Sequence, residues 1–459
     1  MCPEDLRVFL RLLEQADQLK RVAVAVDPQL ELATIVDRIS KGAGRGRALL
    51  FEKVNGSGLP VAVNLFGSLA RVGWALGTTD LPGVAAQLVK DLRTTEKPDV
   101  ERALKALTQQ PAWQPTIDSR PVCREVDHGD TGLDLLPPIK AWPGDAGPFL
   151  TLAQVYTRHP EGGALNCGMY RIQRRDRFTA TVRCRAGSGA AGHLAAWHQR
   201  GRGMPVAVVL GGPPALIWAA GAPLPDGVEE AAFCGYLTGK RLVMSDCQAS
   251  DLQVPASAEV VIEGVIMPGE TAAEGPFGNH TGSYDSDAAA PMLQVLSVHA
   301  RRGAIYPWTL VGPPPMENIQ LARATECLFR PLVKMAVPTV HELHMPAEGI
   351  FHRATLVTVD PTEERPLPEL ARLLWDTLLL KGSRLLVVGA ADHDPRDPAT
   401  VFWRALNRID WRRDLLIENG QLAIDARRLP VGEPVCCDPE VLAKVFSRWH
   451  EYGLDSAEE

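Results

Sequence analysis

The densest group of reactive side chains lies in the segment Glu274–Gly282, which reads EGPFGNHTG. It combines a carboxylate, an amide and an imidazole with glycine and proline, residues that favour turns and close backbone approach. We therefore predict a rigid loop. A carboxylate that such a loop holds beside a cation can be tuned for proton transfer. The alternative is an ordinary β-turn with a solvated Glu274, and the segment alone does not decide between them.

A second motif is the segment NCGMYR, which ends at Arg171. The segment places the Asn166 amide and a guanidinium five positions apart, at the entry to a predicted strand. The planar fork of arginine matches a carboxylate. A single arginine at a strand edge more often forms a surface ion pair, so this alternative also stays open.

A glycine-rich segment, Gly187–Gly192, follows the predicted strand Phe178–Cys184 and precedes a predicted helix over His193–His198. Its spacing is formally G-x-G-x-x-G, which brings backbone N–H groups to a phosphate at a helix N-terminus. A dinucleotide site also needs an acidic residue about 20 positions on, and the first one here is Asp226. The pattern favours a phosphate-binding loop over a dinucleotide site, with a plain glycine-rich turn as the alternative.

Other histidines and cysteines predict no metal site. His341, His344 and His352 accompany two glutamates, but Pro346 and Gly349 interrupt any shared helical face and zinc-protease spacing is absent. We expect these histidines in loops and at the surface. The nine cysteines contain no Cys-x-x-Cys pair and are too few for a disulfide framework, so they are expected to be reduced.

Composition limits the class of protein to which these groups belong. The 459 residues are 46% hydrophobic and 22% charged, as in a globular protein of two to four domains. The net charge of -7 has the wrong sign for a nucleic-acid binder. Because no apolar run reaches about 18 residues and the N-terminus is charged, we expect no transmembrane segment or signal peptide and a cytoplasmic location.

The pattern of apolar residues divides the chain into three regions. Helical and strand patterns alternate up to about residue 109, and short strand-like runs dominate from Phe149 to Gly312, as in a barrel or folded sheet. After Pro313–Pro315 the alternation returns, with predicted helices at Leu321–Lys334, Leu367–Leu380 and Ala399–Ile409. The chain is therefore predicted to be an α/β protein with a β-rich middle.

Taken together, these motifs resemble the UbiD family of decarboxylases, which use prenylated flavin mononucleotide (prenylated FMN). The resemblance covers nearly the whole chain and rests on ordered segments, among them Phe51–Gly56, Asn64–Ser68, Asn166–Arg171, Asp251–Glu259, Glu274–Gly282, Ala324–Glu326 and Asp410–Asp414. It implies an N-terminal α/β domain over residues 1–115, a central split β-barrel that binds flavin over 116–315, and a C-terminal α/β domain over 316–459.

The resemblance implies a reversible, non-oxidative decarboxylation of an aromatic or α,β-unsaturated carboxylic acid, with the flavin as electron sink. Arg171 would hold the substrate carboxylate, Glu274 would pair with Arg171 and the flavin, and the third position of this catalytic trio falls at Asn279. Flavin contacts are expected at Met169, Tyr170, Arg171, Arg183, Cys184, Arg185, Ser188 and Gly189. Asn166 and Glu230 would bind Mn²⁺ or Mg²⁺ at the flavin phosphate, with K⁺ as a further candidate ion.

Two positions depart from the family pattern. Asn279 stands where the family has an acid, and an amide cannot exchange a proton as a carboxylate does. His280, Asp285 or a water held by Glu274 are the candidate proton donors, and the sequence does not rank them. The family's metal-binding histidine is absent near Gly187 or Ser188, and the nearest is His193.

The resemblance also implies partners: a small aromatic acid as substrate, a flavin prenyltransferase that supplies the cofactor, and further copies of the chain in a dimer or hexamer. The departures support an alternative, a catalytically degenerate subunit of the same fold that acts as a binding or scaffold partner. A third hypothesis, a nucleotide-dependent oxidoreductase built on the glycine loop, is weakened by the missing ribose-binding acid.

Overall fold

A computed structural model describes residues 2–42, 46–93, 99–350, 353–428 and 435–453. His352 lies outside these ranges. No helix in the described ranges has the length and apolar character needed to span a membrane. The architecture is mixed α/β in three consecutive parts, as the sequence predicted, and the middle part is a curled sheet that forms a half-barrel.

The N-terminal part is a small mixed sheet covered by helices. Its elements are α1 (Leu6–Gln15), β1 (Leu19–Val26), α2 (Glu31–Lys41), β2 (Ala48–Val54), β3 (Val61–Val63), α3 (Leu69–Ala75), α4 (Leu81–Leu92) and α5 (Val100–Thr108). Helix α1 starts where Asp5 accepts a hydrogen bond from the Val8 N–H at 2.7 Å. Its Leu6, Phe9 and Leu13 recur at helical spacing and are fully buried, which fixes the helix on the sheet.

The central part carries most of the strands. Its elements are β4 (Thr116–Ile117), β5 (Val126–Asp127), β6 (Phe149–Leu150), β7 (Gln154–Thr157), β8 (Asn166–Met169), β9 (Ile172–Arg174), β10 (Thr179–Val182), α6 (Gly189–Gln199), β11 (Met204–Gly211), α7 (Pro214–Ala219), α8 (Glu230–Thr238), β12 (Val243–Asp246), β13 (Gln253–Pro255), β14 (Ala258–Gly278), β15 (Tyr284–Ala300) and β16 (Tyr306–Trp308). The large sheet runs in the order β6-β9-β10-β15-β14-β11-β7-β8, with β5 paired to β15. Strand β16 leaves this part and joins the N-terminal sheet beside β3.

Strands β14 and β15 form a long antiparallel hairpin whose register shifts at several points between Glu263 and Phe277. Such irregularities bend a strand and increase its twist, which curls the sheet around a cavity. The hairpin corrects one expectation, because Glu274 to Gly278 belongs to β14 and only the residues after Gly278 form a turn.

The C-terminal part is a second α/β layer. It contains α9 (Glu317–Ala336), β17 (Val340–His344), β18 (Ala354–Val359), α10 (Leu367–Trp375), β19 (Leu385–Ala390), α11 (Pro398–Arg408), β20 (Leu415–Glu418), β21 (Gln421–Ala426) and α12 (Pro439–Ser447). Its sheet has the order β17-β18-β19-β21-β20. The three helices predicted here are present, although α9 begins four residues earlier than predicted and α10 ends five residues earlier.

A continuous apolar core joins the three parts. Leu88 of α4, Phe233 of α8 and Phe329 of α9 belong to one buried cluster. An ion pair adds to this connection, because Arg7 of α1 makes two 3.0 Å hydrogen bonds to the buried Glu259 of β14. The walls around the half-barrel are therefore supported from the N-terminal and C-terminal sides.

Candidate active site

An ion pair between Arg171 and Glu274 lies at the wall of the half-barrel. Arg171 occupies the break between β8 and β9, and its Nε and Nη2 donate to the Glu274 carboxylate at 2.6 and 2.7 Å. The Glu274 side chain is fully buried and that of Arg171 is 9% exposed. The structure therefore contradicts both plainer alternatives from the sequence, a solvated turn carboxylate and a surface ion pair.

Two further groups fix the Arg171 guanidinium. The ring of Phe277 lies beneath it, with 4.6 Å between the guanidinium carbon and the ring centroid, and its Nη1 lies 3.3 Å from Oδ2 of Asp285. Phe277 and Asp285 face each other across the β14–β15 hairpin, so their side chains share one face of the sheet. A guanidinium has five N–H bonds, and Glu274 takes two of them, which leaves donors for a ligand.

The guanidinium faces the main cavity, which has a volume of about 1490 Å³ when space open to solvent is included. Arg171, Arg183 and Arg185 line one part of its wall. Apolar side chains, Leu152, Met169, Trp218, Phe277, Leu310 and Leu321, line much of the rest. The part of this space that water-sized molecules can occupy is about 440 Å³, within the range of about 300–1,000 Å³ that is typical of small-molecule sites.

The arginines that follow β10 differ in their partners. Arg183 forms an ion pair with Asp287, and its Nη2 lies 3.9 Å from Asp285. Arg185 has no ion-pair partner among the residues that the structure describes. Cys184 lies between them, and its side chain packs on the core and does not line the main cavity, because neighbouring residues of an extended segment face opposite sides. The flavin contact at Cys184 stays a prediction.

The glycine-rich segment opens a second space, the glycine-loop cavity, with a volume of about 2010 Å³ including open solvent. It shares Tyr170 and Ser188 with the main cavity. Helix α6 begins at Gly189, and the Ser188 side chain caps it by accepting from the Ala191 N–H at 3.3 Å. The free N–H groups and the dipole of this helix end favour an anion such as a phosphate.

The predicted metal ligands line the same cavity. Glu230 at the start of α8 is buried, and its Oε2 accepts from the Cys167 N–H at 2.9 Å. Burial raises the pKa of Glu230 to about 8, and no cationic side chain in the described ranges forms an ion pair with it. A buried carboxylate without a cation, next to the Asn166 amide, fits a hard divalent ion with oxygen ligands.

His193 also lines this cavity, one helical turn beyond Gly189. Its Nδ1 lies 3.0 Å from Oγ1 of Thr157, which in turn lies 3.4 Å from Nδ2 of Asn166. Among described residues no three His, Cys, Asp or Glu side chains form a metal-holding group. An ion site among the described residues of this cavity therefore needs ligands of other kinds as well, such as the amide oxygen of Asn166 or backbone carbonyls.

The turn after β14 carries Asn279 and His280, which both line the main cavity. The Asn279 side chain is fixed, because its Oδ1 accepts from both the N–H and the hydroxyl of Thr281, at 2.7 and 2.6 Å. Burial and the neighbouring cations Arg185, Arg353 and Arg171 lower the pKa of His280 to about 4. At neutral pH the turn therefore presents an amide and a neutral imidazole.

Sequence reasoning missed the contribution of α9. Its residues Asn318, Leu321, Ala322 and Thr325 line the main cavity. A small pocket with about 30 Å³ of space for water-sized molecules lies between α9 and the segment Met345–Ile350. The amphipathic pattern of α9 predicts a helix but does not indicate which part of it faces a ligand. The expectation that His341 and His344 lie in loops is wrong, because both belong to strand β17. His344 pairs with Glu326 at 3.1 Å, and His341 lies 3.6 Å from Asp360.

Comparison with known proteins agrees with this geometry. Three family models match in order along the chain: the 3-octaprenyl-4-hydroxybenzoate carboxy-lyase N-terminal domain at residues 10–88, the Rift-related domain of the same enzyme at 116–314, and its C-terminal domain at 319–427. An uncharacterised protein of Archaeoglobus fulgidus is 35% identical over 420 residues, 91% of this chain and 86% of that protein. An uncharacterised protein of Synechocystis sp. is 33% identical and covers 98% of this chain and 96% of its own.

Solved structures share the fold over almost the full length. The UbiD-class enzyme HmfF from Pelotomaculum thermopropionicum, in an evolved dimeric form in complex with prenylated FMN, superposes with a TM-score of 0.78 at 25% identity. The match covers 96% of this chain and 98% of the HmfF chain. Vanillic acid decarboxylase from Sedimentibacter hydroxybenzoicus has a TM-score of 0.82 at 23% identity, and the match covers 99% of this chain and 100% of the decarboxylase chain. By its three domains, its relatives and its fold, this chain belongs to the UbiD family of carboxy-lyases.

Proposed function

We propose that the protein is a decarboxylase that uses prenylated FMN to remove the carboxyl group of an aromatic or α,β-unsaturated acid. The observation that carries the proposal is the Arg171–Glu274 pair, buried in the wall of a large and partly apolar cavity. The likeness to a UbiD-class enzyme in complex with prenylated FMN supports it.

Arg171 would bind the carboxylate that leaves. Its guanidinium keeps free N–H donors after the two bonds to Glu274, and charge-assisted bonds of this kind orient a carboxylate strongly. Neutral CO₂ loses that attraction as it forms. The pairing with Glu274 and the ring of Phe277 hold the guanidinium in place, so little reorganisation is needed during the reaction.

The apolar wall would receive the rest of the substrate. Trp218, Leu310 and Leu321 suit a flat, unsaturated skeleton. When bound, prenylated FMN would supply the electron sink for the bond that breaks. The side chains of this wall exclude water from the reacting carbon, which strengthens the electrostatic effect of Arg171.

The cofactor would lie across the main and glycine-loop cavities, which meet at Tyr170 and Ser188. Ser188 and Gly189 at the start of α6 would receive its phosphate. Asn166 and Glu230 would hold Mn²⁺ or Mg²⁺ there, with K⁺ as a further candidate. Arg183 and Arg185 add positive charge on the same side, so an anionic cofactor is stabilised in the cavity.

The proposed partners follow from this function: an unsaturated acid as substrate, a flavin prenyltransferase as the source of the cofactor, and further copies of the chain. One observation favours a second candidate, a subunit of the same fold without catalytic activity. Asn279 occupies the turn beside Arg171 and its side chain is fixed by Thr281, so this turn offers no exchangeable acid.

Flavin analysis separates the two candidates. The protein is produced together with a flavin prenyltransferase, purified, and denatured, and the released flavin is identified by absorbance and mass. An Arg183→Gln variant, which removes a positive charge from the cavity wall, serves as the comparison, and circular dichroism checks that it is folded. We expect prenylated FMN in the wild type and less in the variant. An empty protein, or one that carries only unmodified flavin, would favour the non-catalytic subunit.

A further inference from the structure

His193 lies on the wall of the glycine-loop cavity together with Asn166 and Glu230, the two metal ligands of the proposed function. Its Nδ1 lies 3.0 Å from Oγ1 of Thr157. Its Nε2 makes no hydrogen bond to any residue that the structure describes. The imidazole is therefore fixed through one ring nitrogen and keeps the other for a ligand.

Helix α6 brings this ring to Asn166. The Oδ1 atom of Asn166 lies against Gly189, the first residue of α6, since a Cβ added to that glycine would be 2.3 Å from the oxygen. His193 follows one turn later on the same face of the helix. Because helical side chains lean toward the N-terminus of their helix, the absent side chain at Gly189 leaves this space to the imidazole.

The buried hydroxyl of Thr157 connects the histidine to the amide. Thr157 and Asn166 face each other on β7 and β8, and Nδ2 of Asn166 donates to Oγ1 of Thr157 at 3.4 Å. Since its nitrogen is bound in this way, the amide keeps Oδ1 for an ion. A histidine that binds a metal through one ring nitrogen generally donates the N–H of the other to an acceptor, and Thr157 supplies that acceptor here. One hydroxyl thereby orients two ligands.

Glu230 completes the set from the other side of Asn166. Its Oε2 accepts from the N–H of Cys167, the next residue in the chain, at 2.9 Å, and its side chain lines the same cavity. Only two of the three ligands are His, Cys, Asp or Glu side chains, which agrees with the lack of any group of three such side chains in the described ranges. The set offers one nitrogen in addition to amide and carboxylate oxygens.

We propose that His193 takes the place of the family's metal-binding histidine, so that Asn166, His193 and Glu230 bind a divalent transition-metal ion such as Mn²⁺ in preference to Mg²⁺. Imidazole nitrogen is a favourable ligand for transition metals, whereas Mg²⁺ prefers oxygen ligands. The inference rests on the proposed function only for the role of the ion at the cofactor phosphate. Metal binding itself is measured without turnover.

The test is a titration of the protein with Mn²⁺ in the presence of FMN, with free Mn²⁺ followed by electron paramagnetic resonance (EPR). His193→Gln should weaken Mn²⁺ binding by about tenfold or more, and the ratio of Mn²⁺ to Mg²⁺ affinity should fall with it. Thr157→Val, which removes only the orienting hydroxyl, should weaken Mn²⁺ binding by about tenfold. His198→Gln is the matched control and should bind Mn²⁺ normally, because His198 lies on the same helix but bonds to the Ile266 carbonyl and does not line the cavity.

Pulsed EPR of the bound Mn²⁺ gives a direct signature of the nitrogen ligand. We expect coupling to an imidazole nitrogen in the wild type and none in His193→Gln. His159→Gln should keep the coupling, although His159 lines the same cavity with its ring centroid 6.0 Å from that of His193. Circular dichroism checks the fold of each variant, and if His193→Gln does not fold, the wild-type spectrum and Thr157→Val decide.

The proposal would be overturned if the wild type bound no Mn²⁺, if its bound Mn²⁺ showed no nitrogen coupling, or if His159→Gln rather than His193→Gln removed the coupling. It would also be overturned if His193→Gln weakened FMN binding equally in chelator and in Mn²⁺, because His193 would then contact the phosphate directly. A wild type that binds Mn²⁺ through His193 but releases no CO₂ from any acid would support this inference and refute the proposed function alone.

Discussion

Glu230 gives the metal-free protein an unusual dependence of stability on pH. Burial raises its pKa from 4.5 to about 8 in the folded chain. Between these values the folded protein keeps a proton that the unfolded chain has lost. The contribution of Glu230 to the free energy of unfolding is therefore greatest below pH 4.5 and decreases as the pH rises toward 8. Each pKa unit corresponds to about 1.4 kcal/mol, so the loss by pH 8 is on the order of 4 kcal/mol.

The assay compares wild type with Glu230→Gln in a chelator, by urea unfolding followed through tryptophan fluorescence at pH 5 and pH 8. Glutamine keeps an acceptor for the Cys167 N–H but has no charge to bury. We expect the wild type to lose on the order of 4 kcal/mol more than the variant over this interval. Added Mn²⁺ should remove most of the difference at pH 8 if the ion binds Glu230.

Parallel pH profiles for the two proteins would refute this reasoning, because Glu230 would then titrate in the folded state as it does in the unfolded state. A pH difference that persists in saturating Mn²⁺ and Mg²⁺ would have a narrower meaning. It would be consistent with a buried, protonated Glu230 but would contradict the assignment of Glu230 as a metal ligand.

Three other changes test the site. Glu274→Gln should abolish CO₂ release, measured by turnover, while the protein stays folded. Breaking the buried pair should lower the free energy of unfolding, measured in urea, by about 3–5 kcal/mol. Undiminished turnover would be incompatible with a catalytic role for Glu274. Asn279→Asp should raise product formation by about tenfold or more, since it puts an acid in the cavity wall and keeps both acceptor bonds to Thr281. No gain would exclude this turn from the proton path. Gly189→Ala should weaken FMN binding, because the added Cβ would lie 2.3 Å from Oδ1 of Asn166. The control Gly192→Ala, on the same helix, meets nothing within 4 Å and should bind FMN normally. Equal FMN affinities of the two variants would contradict a role of this loop in flavin binding.

Local patterns in the sequence were sufficient for the elements that carry the site. The glycine-rich segment does lead into a helix N-terminus, with Ser188 as its cap, because the serine and glycine requirements of such a start are local. The alternation of helices and strands in the C-terminal part was likewise predicted from periodicity, with errors at the ends of the helices. The helix α9 begins earlier than predicted because Glu317 is held by a tertiary contact, a 2.8 Å hydrogen bond from the Phe66 N–H.

Contacts between distant segments could not be read from these patterns. Arg171 and Glu274 are 103 positions apart, and only the resemblance to a family suggested that they pair. The contact of Asp285 with Arg171 depends on the register of the β14–β15 hairpin, which shifts at bulges that leave no clear mark in the sequence. For the same reason Glu274 was expected in a loop and lies in a strand. The sequence also did not indicate that the Cys184 side chain packs on the core, because this depends on the backbone geometry of the segment after β10.

The most direct test of the central claim is CO₂ release by the protein loaded with prenylated FMN, measured over a panel of aromatic and α,β-unsaturated acids labelled with ¹³C at the carboxyl group. The account predicts labelled CO₂ from at least one acid with the wild type and none from the same acid with Glu274→Gln. If the loaded wild type released no labelled CO₂ from any acid, or if Glu274→Gln released it equally well, the buried Arg171–Glu274 pair would not be the centre of a decarboxylase.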